Sequence, residues 1–194
     1  MSHYSQNNEQ QHILKFFEGS IGTLLDIGAN NGKTNSNSRA LLELGWFGVL
    51  VEPHPYAFNV LNTELLEGSK AFNYAINSYD GKVTLHITPD SQLSSIKEEF
   101  TEQSKRWHKF EPIEVTCVTI DTLYAQAGNK FDFITIDAEG CDFDILKQMA
   151  PDFAGCKLLS IECSGKEREE IKRYLEARGF TVYHTTNENL IMQR

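Results

Sequence analysis

A glycine-rich loop follows the first strongly apolar stretch of the chain. The loop and its flanks read Leu24-Leu-Asp-Ile-Gly-Ala-Asn-Asn-Gly-Lys33, so Gly28 and Gly32 stand where a buried strand is expected to turn into a helix. Glycine lets the backbone approach a ligand without a Cβ clash, and ligands of doubly wound sheets bind beyond the carboxyl ends of the strands. The two glycines therefore predict a ligand-binding turn, although a tight strand-to-helix turn alone would also need them.

An acidic residue, Glu52, ends the next apolar stretch, 47–52. It lies one strand further along the chain than Asp26, the acid inside the glycine-rich loop. A carboxylate at the end of this strand accepts hydrogen bonds from ribose hydroxyls in nucleotide-binding folds. The ligand is therefore expected to carry a ribose, unless Glu52 is only a solvated strand end.

The details of the loop discriminate between two classes of ribose-containing cofactor. Dinucleotide-binding loops read G-x-G-x-x-G, and their middle glycine admits a pyrophosphate. Here Asn30 stands at that position, and Asp26 would repel a pyrophosphate but could pair with an ammonium. S-adenosylmethionine has no phosphate and carries an α-ammonium and a positive sulfonium, so it is the predicted cofactor. An NAD-dependent oxidoreductase and a non-catalytic nucleoside-binding module, which would not need Asp137, are the alternatives.

Two further carboxyl residues follow the apolar strand that is predicted over 131–136. Asp137 comes directly after this strand, and Glu139 lies in the turn before the next helix. One carboxylate could act as general base for an acceptor hydroxyl or hold a divalent cation. Alternatively, Asp137 orients the loop and Glu139 caps the helix near its positive end. Trp107, in an irregular polar stretch, is a candidate for stacking on a substrate ring.

The composition is that of one folded globular domain. The chain has 194 residues, of which 40% are hydrophobic and 23% charged, and this excludes disordered and collagenous classes. Its 27 acidic residues outnumber 18 Lys and Arg, giving a net charge of -9. Such a surface argues against nucleic acid or an anionic membrane as partner and favours a small or cationic ligand. The four scattered cysteines form no CxxC pair and no zinc-like cluster, so they are expected to be reduced and mostly buried.

The organisation of the chain is predicted to be simple. Residues 1–20 are expected to form an N-terminal arm and a short helix, with the first ten residues loosely attached, and 21–194 a single domain. No apolar run approaches the roughly 20 residues of a membrane span, and the first residues lack the pattern of a signal peptide. The predicted location is therefore the cytoplasm.

From residue 23 onwards, strands alternate with helices, which is typical of a mostly parallel sheet with helices on both faces. The strands are predicted over 23–27, 47–52, 71–76, 82–87, 114–120, 131–136, 158–162, 181–184 and 190–192. Helices are predicted over 11–19, 36–44, 55–67, 121–127, 142–149 and 167–178. Turn residues at 77–81 predict a hairpin between the third and fourth strands, 89–112 is expected to be a long loop or short irregular helix, and the last two strands are expected to be antiparallel.

Seven short blocks of residues follow one another along the chain. They are Asp26-Ile-Gly-Ala-Asn-Asn-Gly32, Val51-Glu-Pro-His-Pro55, Asn73-Tyr-Ala-Ile76, Ser94-Ser-Ile96, Thr119-Ile-Asp-Thr-Leu123, Ile136-Asp-Ala-Glu-Gly140 and Asn189-Leu-Ile191. In this order and spacing they resemble the FkbM family of S-adenosylmethionine-dependent methyltransferases, from about Leu24 to the C-terminus. The resemblance implies the α/β, Rossmann-like class I methyltransferase fold, with a mostly parallel seven-stranded sheet and an antiparallel closing strand.

The same resemblance implies methyl transfer to a hydroxyl oxygen of a sugar or another small hydroxylated metabolite. It assigns Asp26, Gly28 and Asn30 to the methionine end of the cofactor, Glu52 to the ribose and Ala75 with Ile76 to the adenine edge. It also implies that Ser95, Asp137 and Glu139 face the transferring methyl group. Many relatives carry a lysine before the acid of the Asp-x-Glu-Gly block, whereas Thr135 and Ile136 precede Asp137 here.

Overall fold

A seven-stranded sheet runs through the centre of the protein. The structure, a computed structural model, describes residues 2–88, 94–98, 109–149 and 153–194. Its strands are β1 (Thr23–Ile27), β2 (Phe47–Val51), β3 (Lys70–Phe72), β4 (Ala75–Ile76), β5 (Gly81–Ile87), β6 (Glu111–Val118), β7 (Phe133–Ile136), β8 (Leu158–Glu162), β9 (Thr181–Thr185) and β10 (Asn189–Gln193). The large sheet has the order β3-β2-β1-β7-β8-β10-β9. This order confirms the predicted α/β fold with seven strands.

The five strands from β3 to β8 in that order are parallel, and β10 runs antiparallel to β8 and to β9. Nearly every residue of β1, β2, β7 and β8 is buried, as expected for parallel strands covered on both faces. Ile27 at the end of β1 pairs with Val51 of β2 and with Ile136 of β7. The carboxyl ends of these strands therefore meet at one edge of the sheet, where the predicted acids follow them.

Helices cover both faces of the large sheet. They are α1 (Glu9–Phe16), α2 (Arg39–Glu43), α3 (Pro55–Thr63), α4 (Ile120–Ala127), α5 (Asp142–Gln148) and α6 (Gly165–Glu176). Alternate strand residues divide the core in two: Leu24, Leu50 and Phe133 pack with α1 to α3, and Leu25, Ile134 and Leu159 pack with α4 to α6. Among the described residues, no helix has the length and apolar character needed to cross a membrane.

A second, three-stranded sheet corrects the predicted hairpin. The stretch 71–76 is not one strand, because β3 pairs with β2 whereas β4 pairs in parallel with β6. β5 pairs antiparallel with β6 and not with the preceding strand. Asn73 separates the two short strands, since its side-chain amide donates to the carbonyl oxygens of Glu52 and Pro53 at 2.8 and 3.1 Å. The break directs Ala75 and Ile76 across the end of the large sheet.

The N-terminal arm packs against the domain, which corrects the expectation that the first ten residues are loosely attached. Ser5 forms a parallel bridge with Asn35, and the side chain of Glu9 is fully buried. Glu9 accepts hydrogen bonds from the Thr186 hydroxyl at 2.8 Å and from the Asn189 amide at 3.1 Å. The arm therefore ties the loop after β1 to the turn between β9 and β10.

Candidate active site

A cleft of about 270 Å³ opens at the carboxyl ends of β1, β2, β7 and β8. Twelve of its lining residues are described here as two groups. We call the first group the glycine-loop side, formed by Asp26, Gly28, Asn30, Glu52, Ala75 and Ile76. The second, the carboxyl-pair side, is formed by Gln6, Thr135, Asp137, Glu139, Glu162 and Glu188. The structure thus brings most of the predicted site residues together in one cleft.

Glu52 is fixed by two backbone N–H groups. Its Oε2 accepts from Asn30 N at 2.8 Å, and its Oε1 accepts from His54 N at 2.7 Å. Burial raises the pKa of Glu52 to about 7, an effect that the charges of Asp26 and Asp137 increase. Each carboxylate oxygen has a second lone pair, so the anchored carboxylate can still accept hydrogen bonds from a ligand hydroxyl.

The two predicted glycines have different roles. Gly28 has a φ of +87°, and a Cβ there would lie 1.7 Å from the carbonyl oxygen of Asp137. Only glycine therefore allows the loop after β1 to touch the backbone after β7. Gly32 has a φ of +75°, and its Cβ would meet Leu61 of α3 at 2.6 Å. The expectation that Gly32 approaches the ligand is thus corrected to a packing role beneath α3.

Asp26 lies in the floor of the cleft on β1. Its side chain is only 5% exposed, and its Oδ2 accepts a hydrogen bond from the Ser38 hydroxyl at 2.5 Å. Burial raises the pKa of Asp26 to about 6. Asn30, also in the loop, has a φ of +47°, a conformation that asparagine tolerates better than most residues. This conformation points its backbone N–H at Glu52.

Asp137 and Glu162 form a carboxyl pair. They follow the last paired residues of β7 and β8, Ile136 and Ile161, and are joined by a side-chain hydrogen bond. Burial and the charge of Asp137 raise the pKa of Glu162, and burial also raises that of Asp137. Two carboxyls in contact cannot both ionise cheaply, so the pair shares one proton at neutral pH. The backbone N–H of Asp137 donates to Ile27 O at 2.9 Å, which fixes the pair beside β1.

The turn after Asp137 is organised by a residue that the sequence patterns did not single out. Asp142, at the start of α5, accepts from Ala138 N at 2.7 Å and from Gly140 N at 3.0 Å. The loop-orienting role considered for Asp137 is therefore carried out by Asp142, whereas the helix has no side-chain cap hydrogen bond at its N-cap residue, Cys141. Glu139 borders the cleft with a φ of +49°.

The structure does not place either predicted substrate residue, Ser95 or Trp107, in the cleft lining. Ser95 is 1% exposed, and its hydroxyl donates to the carbonyl oxygen of Glu139 at 2.7 Å. The expectation that Ser95 faces the methyl group is corrected: its hydroxyl holds the backbone of Glu139, and Ser94 and Ile96 border the cleft instead. Trp107 lies outside the described residues. Within the part of the chain that the structure describes, no group of three or more His, Cys, Asp or Glu side chains is arranged to hold a metal ion.

The lining residues that were not predicted as site residues include Gln6, Asn37, Glu162 and Glu188. Glu162 ends a buried strand just as Glu52 does, so the same strand-end signal could have identified it. Gln6 and Glu188 carry no such signal, because a hydrogen bond of 3.1 Å between them brings together residues that are 182 positions apart. All the charged side chains that line the cleft, within the described residues, are acidic.

Solved structures of methyltransferases share this fold. The ribosomal protein L11 methylase from Lactobacillus delbrueckii subsp. bulgaricus superposes with a TM-score of 0.54 at 10% identity, covering 96% of this chain and 77% of that one. Precorrin-6y C5,15-methyltransferase from Geobacter metallireducens gives a TM-score of 0.53 at 10% identity, covering 97% and 88%. The fold is therefore that of class I methyltransferases. No curated protein matches the sequence.

A protein family matches most of the chain. The family described as "Methyltransferase FkbM domain" matches residues 26–182, a range that begins at the acid of the glycine loop and ends in β9. The match includes Glu52, Asp137 and Glu162, and it implies S-adenosylmethionine as the methyl donor. The chain therefore belongs to the FkbM family of methyltransferases.

Proposed function

We propose that this methyltransferase transfers the methyl group of S-adenosylmethionine to an oxygen of a small hydroxylated acceptor, such as a sugar. The single observation that carries the proposal is the cleft in which an anchored Glu52 follows β2 and the Asp137–Glu162 pair follows β7 and β8, with β1 between them. The net charge of -9 supports a small acceptor rather than a nucleic acid.

The residues of the glycine-loop side fit this cofactor. Glu52 would hold the ribose hydroxyls, and Ala75 with Ile76 would border the adenine. Asp26, Gly28 and Asn30 would lie at the methionine end. The fit rests on the chemistry of the cleft, since a sulfonium and an ammonium suit a lining whose charged members, within the described residues, are all carboxylates.

On the carboxyl-pair side, Asp137 would act as the general base. When bound, S-adenosylmethionine supplies a methyl group on a positive sulfur, which keeps the electron pair of the broken bond as a thioether. Asp137 accepts the proton of the acceptor hydroxyl as the new carbon–oxygen bond forms, and Glu162 holds Asp137 in place through the shared proton. Alignment of the reactants contributes up to roughly 7 to 11 kcal/mol, and a base adds about 10²- to 10⁴-fold.

Cofactor binding tests the proposal directly. We expect calorimetry to detect binding of S-adenosylmethionine and S-adenosylhomocysteine, and no binding of NAD, because Asn30 replaces the glycine that a pyrophosphate needs. Glu52→Gln should weaken the binding of S-adenosylhomocysteine by about 1.5 to 3 kcal/mol, which is the usual effect of losing hydrogen bonds to a charged group.

The matched control is Glu64→Gln, which removes a partly exposed carboxylate that pairs with Lys33 outside the cleft. Its affinity for S-adenosylhomocysteine should stay within twofold of the parent protein. Tight NAD binding without a response to S-adenosylhomocysteine would support the oxidoreductase alternative, and equal affinities of the two variants would remove Glu52 from the ribose site.

A further inference from the structure

Part of the cleft wall is formed by residues 34–37, the stretch that follows the glycine loop. Asn37, in this stretch, is only 9% exposed, and its side-chain oxygen Oδ1 is buried with no hydrogen-bond partner among the described residues. Burying an acceptor without a partner costs free energy, so native proteins rarely keep one. We therefore expect this oxygen to accept a hydrogen bond from a ligand in the cleft.

The backbone on either side of Asn37 is held in place. Ser36 Oγ accepts a hydrogen bond from Ser38 N at 3.3 Å, and Asn35 forms a bridge with Ser5 of the N-terminal arm. The amide of Asn37 therefore turns on a fixed backbone, and asparagine allows a broad range of rotation about its Cβ–Cγ bond. Such a rotation presents Oδ1 to a ligand without moving the loop.

The neighbouring residue Ser38 indicates which part of the ligand Asn37 would meet. The Ser38 hydroxyl donates to Asp26 Oδ2 at 2.5 Å, so Asn37 borders the same part of the cleft as Asp26. The proposed function assigns Asp26 to the methionine end of the cofactor. S-adenosylmethionine has hydrogen-bond donors on its adenine amino group, its ribose hydroxyls and its α-ammonium. Since the adenine lies at the other end of the cofactor and Glu52 would hold the ribose, the α-ammonium is the donor that remains for Asn37.

We propose that Asn37 binds the α-ammonium of S-adenosylmethionine through Oδ1, beside Asp26. This inference rests on the proposed function, because it adds a residue to the same cofactor site. An ammonium group has three N–H donors, so a contact with Asp26 leaves donors for a neutral amide oxygen. Asn37 would thereby distinguish a cofactor that carries the ammonium from one that lacks it.

A matched pair of ligands tests this contact without knowledge of the acceptor. S-adenosylhomocysteine carries the α-ammonium, whereas its desamino analogue carries a hydrogen atom in that place and is otherwise identical. Calorimetry with the parent protein should show about tenfold or more tighter binding of S-adenosylhomocysteine, the usual effect of hydrogen bonds to a charged group. Asn37→Ala should bind S-adenosylhomocysteine about tenfold more weakly than the parent protein does, while its affinity for the desamino analogue should stay within about twofold.

Asn59→Ala is the matched control, because it removes the same side chain from an exposed position of α3 outside the cleft lining. Both affinities of this control should stay within about twofold of the parent protein. The melting temperature of the cofactor-free protein separates binding from structure. Asn37→Ala should not lower it, because the Asn37 oxygen has no partner to lose among the described residues.

Two results would overturn the proposal while leaving the proposed function in place. They are an unchanged affinity of Asn37→Ala for S-adenosylhomocysteine and an equal loss of affinity for both ligands. Should the alanine variant fail to fold, Asn37→Leu, which has a similar shape and no acceptor, is measured with the same expectations. Failure of the parent protein to bind S-adenosylhomocysteine would instead overturn the proposed function together with this inference.

Discussion

The two sides of the cleft satisfy their buried carboxyl groups in different ways. On the glycine-loop side, both oxygens of Glu52 accept backbone N–H groups, and Asp26 accepts the Ser38 hydroxyl. On the carboxyl-pair side, Asp137 and Glu162 satisfy each other through one shared proton. The first arrangement holds a carboxylate still, which suits binding. In the second arrangement, a carboxyl oxygen can gain or lose a proton, which suits catalysis.

This difference separates affinity from turnover. Backbone donors do not titrate, so on the glycine-loop side only the carboxyl groups of Asp26 and Glu52 respond to pH. A carboxyl pair responds to any charge that enters the cleft, because a positive ligand favours ionisation of both groups. Substitutions on the two sides should therefore have different signatures in binding, turnover and stability.

The largest effect is expected where the two sides touch. Gly28→Ala adds a methyl group 1.7 Å from the Asp137 carbonyl oxygen at a φ of +87°. Backbone strain and the clash together should lower the free energy of unfolding by about 2 to 5 kcal/mol. Gly45→Ala is the control, since its φ is +94° but no atom lies within 4 Å of the added Cβ, and it should cost only about 1 to 2 kcal/mol. Urea denaturation measures the free energy of unfolding of both variants. Equal losses would mean that the close contact between Gly28 and the Asp137 carbonyl does not require glycine.

A smaller and more specific effect is expected at the carboxyl pair. Asp137→Asn keeps the size of the side chain but removes its basic oxygen, so turnover should fall about 10²-fold or more. The affinity for S-adenosylhomocysteine should change less than twofold, because Asp26 and Glu52 remain. Turnover is measured with an acceptor from a screen of small hydroxylated metabolites. A variant with normal turnover would show that alignment alone drives the reaction.

The smallest effect concerns pH. Burial raises the pKa of Asp26 to about 6 and those of Glu52 and Asp142 to about 7, above unfolded values of about 3.9 and 4.3. The folded protein thus retains protons that the unfolded chain loses, so stability falls as the pH rises from about 4 to about 7 and levels off above. We expect the free energy of unfolding of the cofactor-free protein to be lower at pH 8 than at pH 5. Saturating S-adenosylmethionine should reduce this drop, and a stability that rises over the same range would contradict the buried, proton-retaining state.

The part of the site that follows from local sequence could be predicted well. Each of these signals lies within a few residues of the strand that positions it. They are the glycines after the first apolar strand, the acid at the end of the next strand, and Asp137 after a third. The alternation of apolar strands and helices also predicted which edge of the sheet would collect them, because parallel strands bring their carboxyl ends to one edge.

The remainder depends on contacts between distant parts of the chain. The pairing of Asp137 with Glu162 follows from the position of β8 beside β7, which no local pattern specifies. The predicted hairpin failed because turn residues at 77–81 indicate a reversal of the chain but not the partner of each strand, and β6 supplied that partner for both β4 and β5. Buried polar residues of the arm, such as Glu9, read as solvated until their partners are known.

The hydrogen bond between Gln6 and Glu188 joins two segments at one end of the cleft. Both residues lie outside 26–182, the range over which the family is matched, whereas the glycine loop, Glu52 and Asp137 lie inside it. This end of the cleft is therefore completed by segments that the matched range does not include. A substitution at position 6 or 188 would change the cleft lining without changing the glycine loop, Glu52 or Asp137.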